Sequence, residues 1–142
     1  IKRVIGLPGD HVGYYNRRLT INNEPINTGS DHVYRGLGEL NSMQNAGGCD
    51  RIDAKCQVYI EEIDQSKHTI MTNPSSVYGV NGEIFVPKGH YFVMGDNRDN
   101  SRDSRYIQSI PESHLVGEAV RIWMHMDGLS WPRWERIGDK IQ

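Results

Sequence analysis

The 142-residue sequence predicts a mainly β domain built from antiparallel sheets. Short runs of β-forming residues alternate with turn signals, which draw on 15 glycines and 6 prolines. No amphipathic helix of three turns stands out, and no internal repeat is found. The length matches one domain and 37% of the residues are hydrophobic, so we expect a single domain over residues 1–142 with a compact core.

Each predicted strand is a short apolar or alternating run bounded by turn residues. The clearest covers residues 119–126, where two side-chain faces alternate, and we expect it to be half buried. Residues 27–55, rich in Gly, Asn, Ser and charge, predict an excursion loop. The other predicted strands are residues 3–5, 19–21, 57–62, 68–71, 83–86 and 91–94, and the predicted turns include 7–10 and 87–89.

Charge and hydropathy argue against two classes of function for the residues given. With 16 Lys and Arg against 18 Asp and Glu, the formal net charge is −2, so the basic footprint of a nucleic-acid-binding protein is missing. No apolar run approaches the roughly 20 residues of a membrane-spanning helix. Because the chain starts at Ile1 on a strand-like run, we expect a piece of a longer protein, which leaves an upstream membrane or targeting segment open.

The residue pattern supports neither a metal nor a cofactor. The six histidines form no two-histidine helix motif, and no phosphate-binding glycine loop is present. Cys49 and Cys56 are seven positions apart, wider than a usual zinc pair, and no second pair follows. A small surface-loop disulfide, which implies an oxidising compartment, is favoured over a zinc pair or two free thiols.

Residues 1–10 (IKRVIGLPGD) place a lysine within a strand-like run. On a strand, Lys2 and Val4 share one face, while Arg3 and Ile5 share the other. A lysine ammonium ordinarily titrates near about 10.4, and desolvation lowers this by several units, so a buried lysine can act as a general base. From the residues alone, Lys2 is either such a base or a solvated strand lysine.

Residues 94–106 (MGDNRDNSRDSRY) follow the apolar strand predicted at 91–94. Three acids and three arginines alternate here, and we expect them to pair with one another and make the loop rigid. Calcium binding of the EF-hand type is disfavoured, because Arg98 falls on the third ligand position and Ser101 on the glycine position. The loop is therefore a candidate site, with a solvated turn as the alternative.

Taken together, residues 1–10 and 94–106 resemble the two signature blocks of bacterial type I signal peptidase, nearly residue for residue and in the same order. The resemblance extends over essentially the whole chain. It is weakest over about 27–80, which it marks as a variable insertion. Gln108 departs from the family, which often has Gly at this position, and this affects a turn more than the chemistry.

This resemblance implies coiled antiparallel sheets with a glycine-rich, disulfide-bearing insertion. It also implies a membrane-anchored serine endopeptidase on the periplasmic side of the bacterial inner membrane, with no cofactor and no nucleic-acid partner. Such an enzyme removes signal peptides from secreted precursors after small residues, in the Ala-x-Ala pattern. Gram-negative members of the family have a short-spaced cysteine pair in the insertion, which strengthens the case for a bond between Cys49 and Cys56.

The resemblance assigns roles to individual residues. Lys2 matches the general base of a Ser-Lys dyad, and Ser101 matches the serine that orients the lysine amine. Ile1 matches a residue that lines the pockets for small substrate side chains. The charged residues that match supports of the site are Arg3, Asp96, Asp103 and Arg105.

The family's nucleophile lies in a Ser-Met-x-Pro block that precedes the lysine block. The only Ser-Met pair of this chain begins at Ser42, after Lys2, and lacks the Pro pattern. We therefore expect no nucleophile in this chain, and no catalysis by the chain alone. Two alternatives stay open: a non-catalytic periplasmic β module for binding or assembly, and a specialised conjugation-type signal peptidase.

Overall fold

The computed structural model describes residues 2–33, 56–76, 80–121 and 137–140, with the side chains of 30–33 left aside. Within these ranges, no helix is long and apolar enough to cross a membrane. The elements are β1 (Arg3–Gly6), β2 (His11–Tyr15), β3 (Arg18–Ile21), β4 (Glu24–Pro25), β5 (Asn27–Val33), β6 (Gln57–Ile63), β7 (Ser66–Thr72), β8 (Gly82–Phe85), β9 (His90–Met94), α1 (Ser104–Ile107), β10 (Ile110–Pro111) and a 3-10 turn (Glu112–His114).

These strands pair into three antiparallel sheets. The first sheet has the order β1-β9-β10, the second has the order β4-β3-β2-β8, and the third has the order β5-β6-β7. The third sheet lies wholly within the stretch 27–80 that the resemblance marks as an insertion. The predicted mainly β, antiparallel architecture is confirmed for the described part of the chain.

Tight turns join neighbouring strands. Three two-residue hairpin loops, at 16–17, 22–23 and 64–65, place non-glycine residues at positive φ, as the type I′ turns that match strand twist require. The turn predicted at 7–10 is confirmed: the Asp10 N–H donates to the Leu7 carbonyl at 3.0 Å, and Gly9 supplies a φ of 98°. These turns fix the registers of the sheets.

The main core lies between the first and second sheets. Burying each large apolar side chain contributes about 1.5–3 kcal/mol, so this cluster holds β1 firmly against β9 and β2. The alternation predicted for β1 is confirmed, because Ile5 is buried while Val4 is exposed. The buried members of the cluster are Ile5, Val12, Tyr14, Leu19, Val86, Phe92 and Met94.

The six short strands predicted between 3 and 94 each occur within two residues of the expected bounds. Two predictions are wrong in the part that the structure describes. Residues 27–33 form β5, not part of an excursion loop, because they pair with β6 although they lack apolar alternation. Residues 119 and 120 lie outside any strand and Val120 is exposed, because only Arg121 finds a partner, in a single bridge to Lys140. Residues 122–126 lie outside the described ranges.

Candidate active site

Lys2 and Ser101 meet at the end of β1, although 99 positions separate them in sequence. Arg3 lies opposite Met94 in the first sheet, which brings Lys2 beside Gly95, the first residue of the loop 95–103. This loop joins β9 to α1 and is called the site loop below. The Lys2 Nζ donates to the Ser101 Oγ at 2.6 Å. The two residues that the resemblance predicts to act together are thus in direct contact.

Gly95 makes this contact possible. A Cβ added to Gly95 would lie 2.6 Å from the Ser101 Cβ, closer still to the Ser101 Oγ, and 3.2 Å from the Lys2 Nζ. Any larger residue would therefore displace the serine or the lysine. The Gly95 N–H donates to the Asp103 Oδ2 at 2.9 Å, which fixes the turn from the other side.

Asp103 is fully buried and organises the end of the site loop. Its carboxylate accepts from the Arg105 Nε and Nη2, both at 2.8 Å, and from the Gly95 N–H. It also caps α1 by accepting from the Arg105 N–H. Burial acts to raise the pKa of Asp103, but the hydrogen bonds from Arg105, Gly95 and Ser101 and the charge of Arg105 outweigh it, so that its pKa is lowered. Asp103 is thus held as a carboxylate beneath Ser101.

Arg3 and Asp96 form a bidentate pair beside the lysine. The Arg3 Nε lies 3.0 Å from the Asp96 Oδ1, and the Nη2 lies 3.1 Å from the Oδ2. The two side chains are 22% and 33% exposed. The planar guanidinium fits both oxygens, so the pair fixes the strand end to the start of the site loop.

The charges of residues 94–106 do not pair mainly with one another, contrary to the prediction. Among the described contacts, only Asp103 and Arg105 pair within this stretch. Three charges of the stretch pair with distant segments instead: Asp96 with Arg3, Asp99 with Arg17, and Arg98 with Glu61. The physical reason is geometric, since an open loop turns successive side chains toward different neighbours.

Lys2 is exposed, as the solvated-lysine alternative predicts, and its role as a general base stays a prediction. Ile1, Ser42 and Cys49 lie outside the described residues. Cys56 is fully buried, and no free cysteine occurs among the described residues; its pairing with Cys49 stays a prediction. In the ranges that the structure describes, no group of three or more metal-ligating side chains lies together.

Sequence reasoning missed three groups that bear on the site. Gly95 stands in the signature block, but nothing in the sequence shows that a Cβ there would strike Ser101. Arg17 lies in a hairpin loop, yet it reaches Asp99 at 2.9 Å. Glu61 lies on β6 and binds Arg98 in the interior. No local signal marks Glu61, because apolar patterning would bury Ile60 and expose the glutamate, whereas here Glu61 is buried and Ile60 is exposed.

Residues 1–124 match the family described as signal peptidase, peptidase S26. The chain belongs to this family.

The similar proteins include the signal peptidase I of Pseudomonas fluorescens, 37% identical over 93% of this chain and 44% of that protein. The signal peptidase I of Buchnera aphidicola subsp. Baizongia pistaciae is 32% identical over 98% of this chain and 56% of that protein. A crystal structure of a signal peptidase I from Enterococcus faecalis V583 has 28% identity and a TM-score of 0.40, covering 82% of this chain and 78% of that chain. The chain spans about half the length of these two curated relatives.

Proposed function

We propose that this chain is the base-bearing part of a membrane-associated serine endopeptidase, which removes signal peptides from secreted precursors after small residues. Family membership and the similarity to proteins named signal peptidase I support the substrate class. The observation that carries the proposal is the 2.6 Å contact between the Lys2 Nζ and the Ser101 Oγ at the start of the site loop. We assign the protein to the bacterial inner membrane, with the site facing the periplasm.

Lys2 acts as the general base of a Ser-Lys dyad. As a neutral amine it takes the proton of the nucleophilic serine, whose oxygen bonds to the carbonyl carbon of the scissile peptide. The lysine ammonium then gives that proton to the leaving amine, and the C–N bond breaks. In the second half, the amine takes a proton from water, whose oxygen bonds to the acyl carbon. The lysine then returns a proton to the serine oxygen as the bond between that oxygen and the acyl carbon breaks.

Ser101 orients the lysine and is not the nucleophile. Its hydroxyl hydrogen-bonds to the Asp103 carboxylate, which can only accept, so the Ser101 oxygen is left to accept from Lys2. A nucleophile would need the opposite direction, with its proton toward the amine. We therefore place the nucleophilic serine in a Ser-Met-x-Pro block outside this chain, and expect the chain alone to be inactive.

Supporting roles complete the proposal. Arg3 with Asp96, and Asp103 with Arg105, brace the loop, while Ile1 lines the pockets for small side chains. Binding of the serine segment and of substrate covers Lys2 and removes water from its amine, the condition under which a lysine serves as a base near neutral pH.

The rest of the chain fits the same assignment. We propose one domain with a variable insertion over about 27–80 and a Cys49–Cys56 disulfide. The disulfide agrees with an oxidising periplasm, and membrane attachment comes from a segment before Ile1.

The first test reads the coding sequence upstream of Ile1 for a Ser-Met-x-Pro block and for apolar segments of about 20 residues. The full encoded protein is then assayed on a synthetic signal peptide ending in Ala-x-Ala. Lys2→Ala should lower kcat by about 100-fold or more, because the general base is lost. Lys67→Ala, an exposed lysine on β7, is the matched control and should leave kcat unchanged.

Three results would overturn parts of this assignment. Full activity in Lys2→Ala would exclude the dyad. Cleavage by the 142-residue chain alone, lost in Ser101→Ala, would make Ser101 the nucleophile. Binding of signal peptides without cleavage by the full protein would favour a non-catalytic periplasmic module.

A further inference from the structure

A buried charged cluster lies under the site loop and has no role in the proposed chemistry. It consists of Glu61 on β6, His68 on β7 and Arg98 in the site loop, all nearly inaccessible to solvent. The Glu61 Oε1 accepts from the Arg98 Nη1 at 2.8 Å, and the Oε2 accepts from the Arg98 Nη2. The Oε2 also lies 3.0 Å from the His68 Nε2. The Glu61 carboxylate, on the third sheet, thus binds Arg98 of the site loop in a bidentate contact.

The carboxylate is held in its charged form. Burial acts to raise the pKa of Glu61, but the hydrogen bonds from His68 and Arg98 and the charge of Arg98 outweigh it, so that its pKa is lowered. Because an ionised carboxylate can only accept, His68 must donate through its Nε2. Buried charges persist only where they are paired, so this cluster has a defined geometry.

A continuous series of hydrogen bonds runs from this cluster to the catalytic lysine. The Arg98 carbonyl accepts from the Arg105 Nη2 at 2.6 Å, and Arg105 holds Asp103 with two further bonds. Asp103 in turn holds Ser101, and Ser101 holds Lys2. Arg98 is thus linked to the serine that contacts Lys2 through two intervening residues, Arg105 and Asp103.

The backbone of the third sheet supports the same loop. The Met71 N–H donates to the Asp96 carbonyl, and the Arg98 N–H donates to the Met71 carbonyl, both at 2.9 Å. Just after β7, the Asn73 N–H donates to the Asp99 Oδ2 at 2.8 Å. Main-chain and side-chain contacts thus fix the site loop on one edge of the third sheet.

We propose that Glu61 is a positioning residue for the Lys2–Ser101 pair: it holds Arg98, and through Arg98 the site loop, in the geometry that orients the amine. The third sheet, although it lies in the predicted insertion, is then part of the active site. The catalytic half of this inference rests on the proposed function; the positioning half does not, because it concerns a contact within the chain.

The variants are Glu61→Gln, which removes the charge, and Glu61→Asp, which keeps it but draws the carboxylate back by one methylene. Glu62→Gln is the matched control, since its side chain is 37% exposed on the same strand and contacts only the exposed Lys67 among the ion pairs of the described residues. Thermal unfolding identifies conditions in which each variant is at least 95% folded, and all assays are run there.

The first readout needs no activity. In the 142-residue chain, the NMR signal of the Lys2 side-chain methylene next to Nζ should move toward that of a free lysine in Glu61→Gln. Hydrogen exchange of the Met71 and Arg98 amides should accelerate by about tenfold or more beyond the change at Tyr14 in the second sheet, whose exchange reports the global loss of stability. A merely structural role would accelerate all three amides together and leave the Lys2 signal in place.

The second readout is kinetic and uses the full encoded protein. Glu61→Gln should lower kcat by about 100-fold and leave KM within about twofold. A displacement of a catalytic group by about 1 Å has an effect of this size on the rate. The kcat of Glu61→Asp should lie between the values for Glu61→Gln and for the control Glu62→Gln. If Glu61→Gln does not fold, Glu61→Asp decides: a kcat within twofold of wild type overturns the inference.

The two readouts separate the two hypotheses. A moved Lys2 signal with no peptidase activity in the wild-type protein supports the positioning role and rejects the proposed function. An active wild-type protein with an unmoved Lys2 signal and unchanged kcat in folded Glu61→Gln rejects the positioning role alone.

Discussion

Two arginine–carboxylate pairs hold the site loop, one at the surface and one in the interior. Arg3 and Asp96 are 22% and 33% exposed, whereas Arg98 and Glu61 are each 1% exposed. Both pairs are bidentate, Arg3 through its Nε and Nη2 and Arg98 through its two Nη atoms, but their surroundings differ. Water screens the first pair and stabilises either partner alone, while the second pair leaves a buried charge if one partner is lost. We therefore expect burial, and not the number of hydrogen bonds, to decide how much stability is lost when one partner of a pair is removed.

The largest loss of stability is expected when the interior pair is broken. Glu61→Gln should lower the free energy of unfolding by about 3–5 kcal/mol, because it leaves the Arg98 charge buried without a counter-charge. Urea unfolding at pH 7 measures this, and Glu62→Gln should change it by less than about 0.5 kcal/mol. A loss below about 1 kcal/mol for Glu61→Gln would place the interior pair in the same class as the surface one.

The next effect tests the close packing between the two pairs. Gly95→Ala should cost about 1–3 kcal/mol and abolish the Lys2–Ser101 hydrogen bond, because the new methyl group overlaps Ser101. Gly82→Ala on β8 is the control, since a Cβ there meets nothing within 4 Å, and it should change stability by at most about 1 kcal/mol. Equal unfolding curves for the two variants would show that the site loop can rearrange to accommodate the methyl group.

The pH dependence of stability sharpens the comparison. The pKa values of Glu61 and Asp103 are lowered in the folded chain, so at acidic pH the unfolded state binds protons first. Their stabilising contribution is fully present above the unfolded values of about 4, and is lost as the pH falls through the lower, folded values. Urea midpoints at pH 7 and pH 3 should therefore differ less in Asp103→Asn than in wild type. Glu24→Gln, an exposed carboxylate change on β4, should keep the wild-type difference.

The smallest effect concerns the surface pair. A double-mutant cycle with Arg3→Gln and Asp96→Asn should give a coupling energy of at most about 1 kcal/mol, and 1 M salt should reduce it further. The same cycle on Glu61 and Arg98 should give several times that value. Similar couplings for the two pairs would mean that exposure does not set their strength.

The two signature blocks could be found in the sequence, but the partners of Arg98 and Asp99 could not. Lys2 and Ser101 were paired through the resemblance, and the structure places them in contact. The apolar runs gave β3, β7 and β9, because alternation and turn residues are local signals. β5 escaped notice, because it has no apolar face of its own and depends on pairing with β6.

Glu61 shows why the remaining part of the site was out of reach. Apolar patterning predicts Ile60 inside and a glutamate outside, and the structure has the reverse. The reversal depends on Arg98, which lies 37 residues away in sequence. Such a partner becomes visible only when the fold brings the third sheet to the site loop.

The hairpin loop at 16–17 contains a conflict between two demands on one residue. Arg17 has a φ of 65°, a left-handed conformation that costs a side-chain-bearing residue about 1 kcal/mol and costs glycine little. Its guanidinium, however, supplies the counter-charge of the buried Asp99 and binds the carbonyls of Asn73 and Ser76. A glycine at position 17 would relieve the backbone strain but would remove the counter-charge of Asp99. The residue at position 17 therefore suits the charge of the site loop and not the backbone of its own hairpin. A local conflict of this kind is typical of residues that serve a functional site.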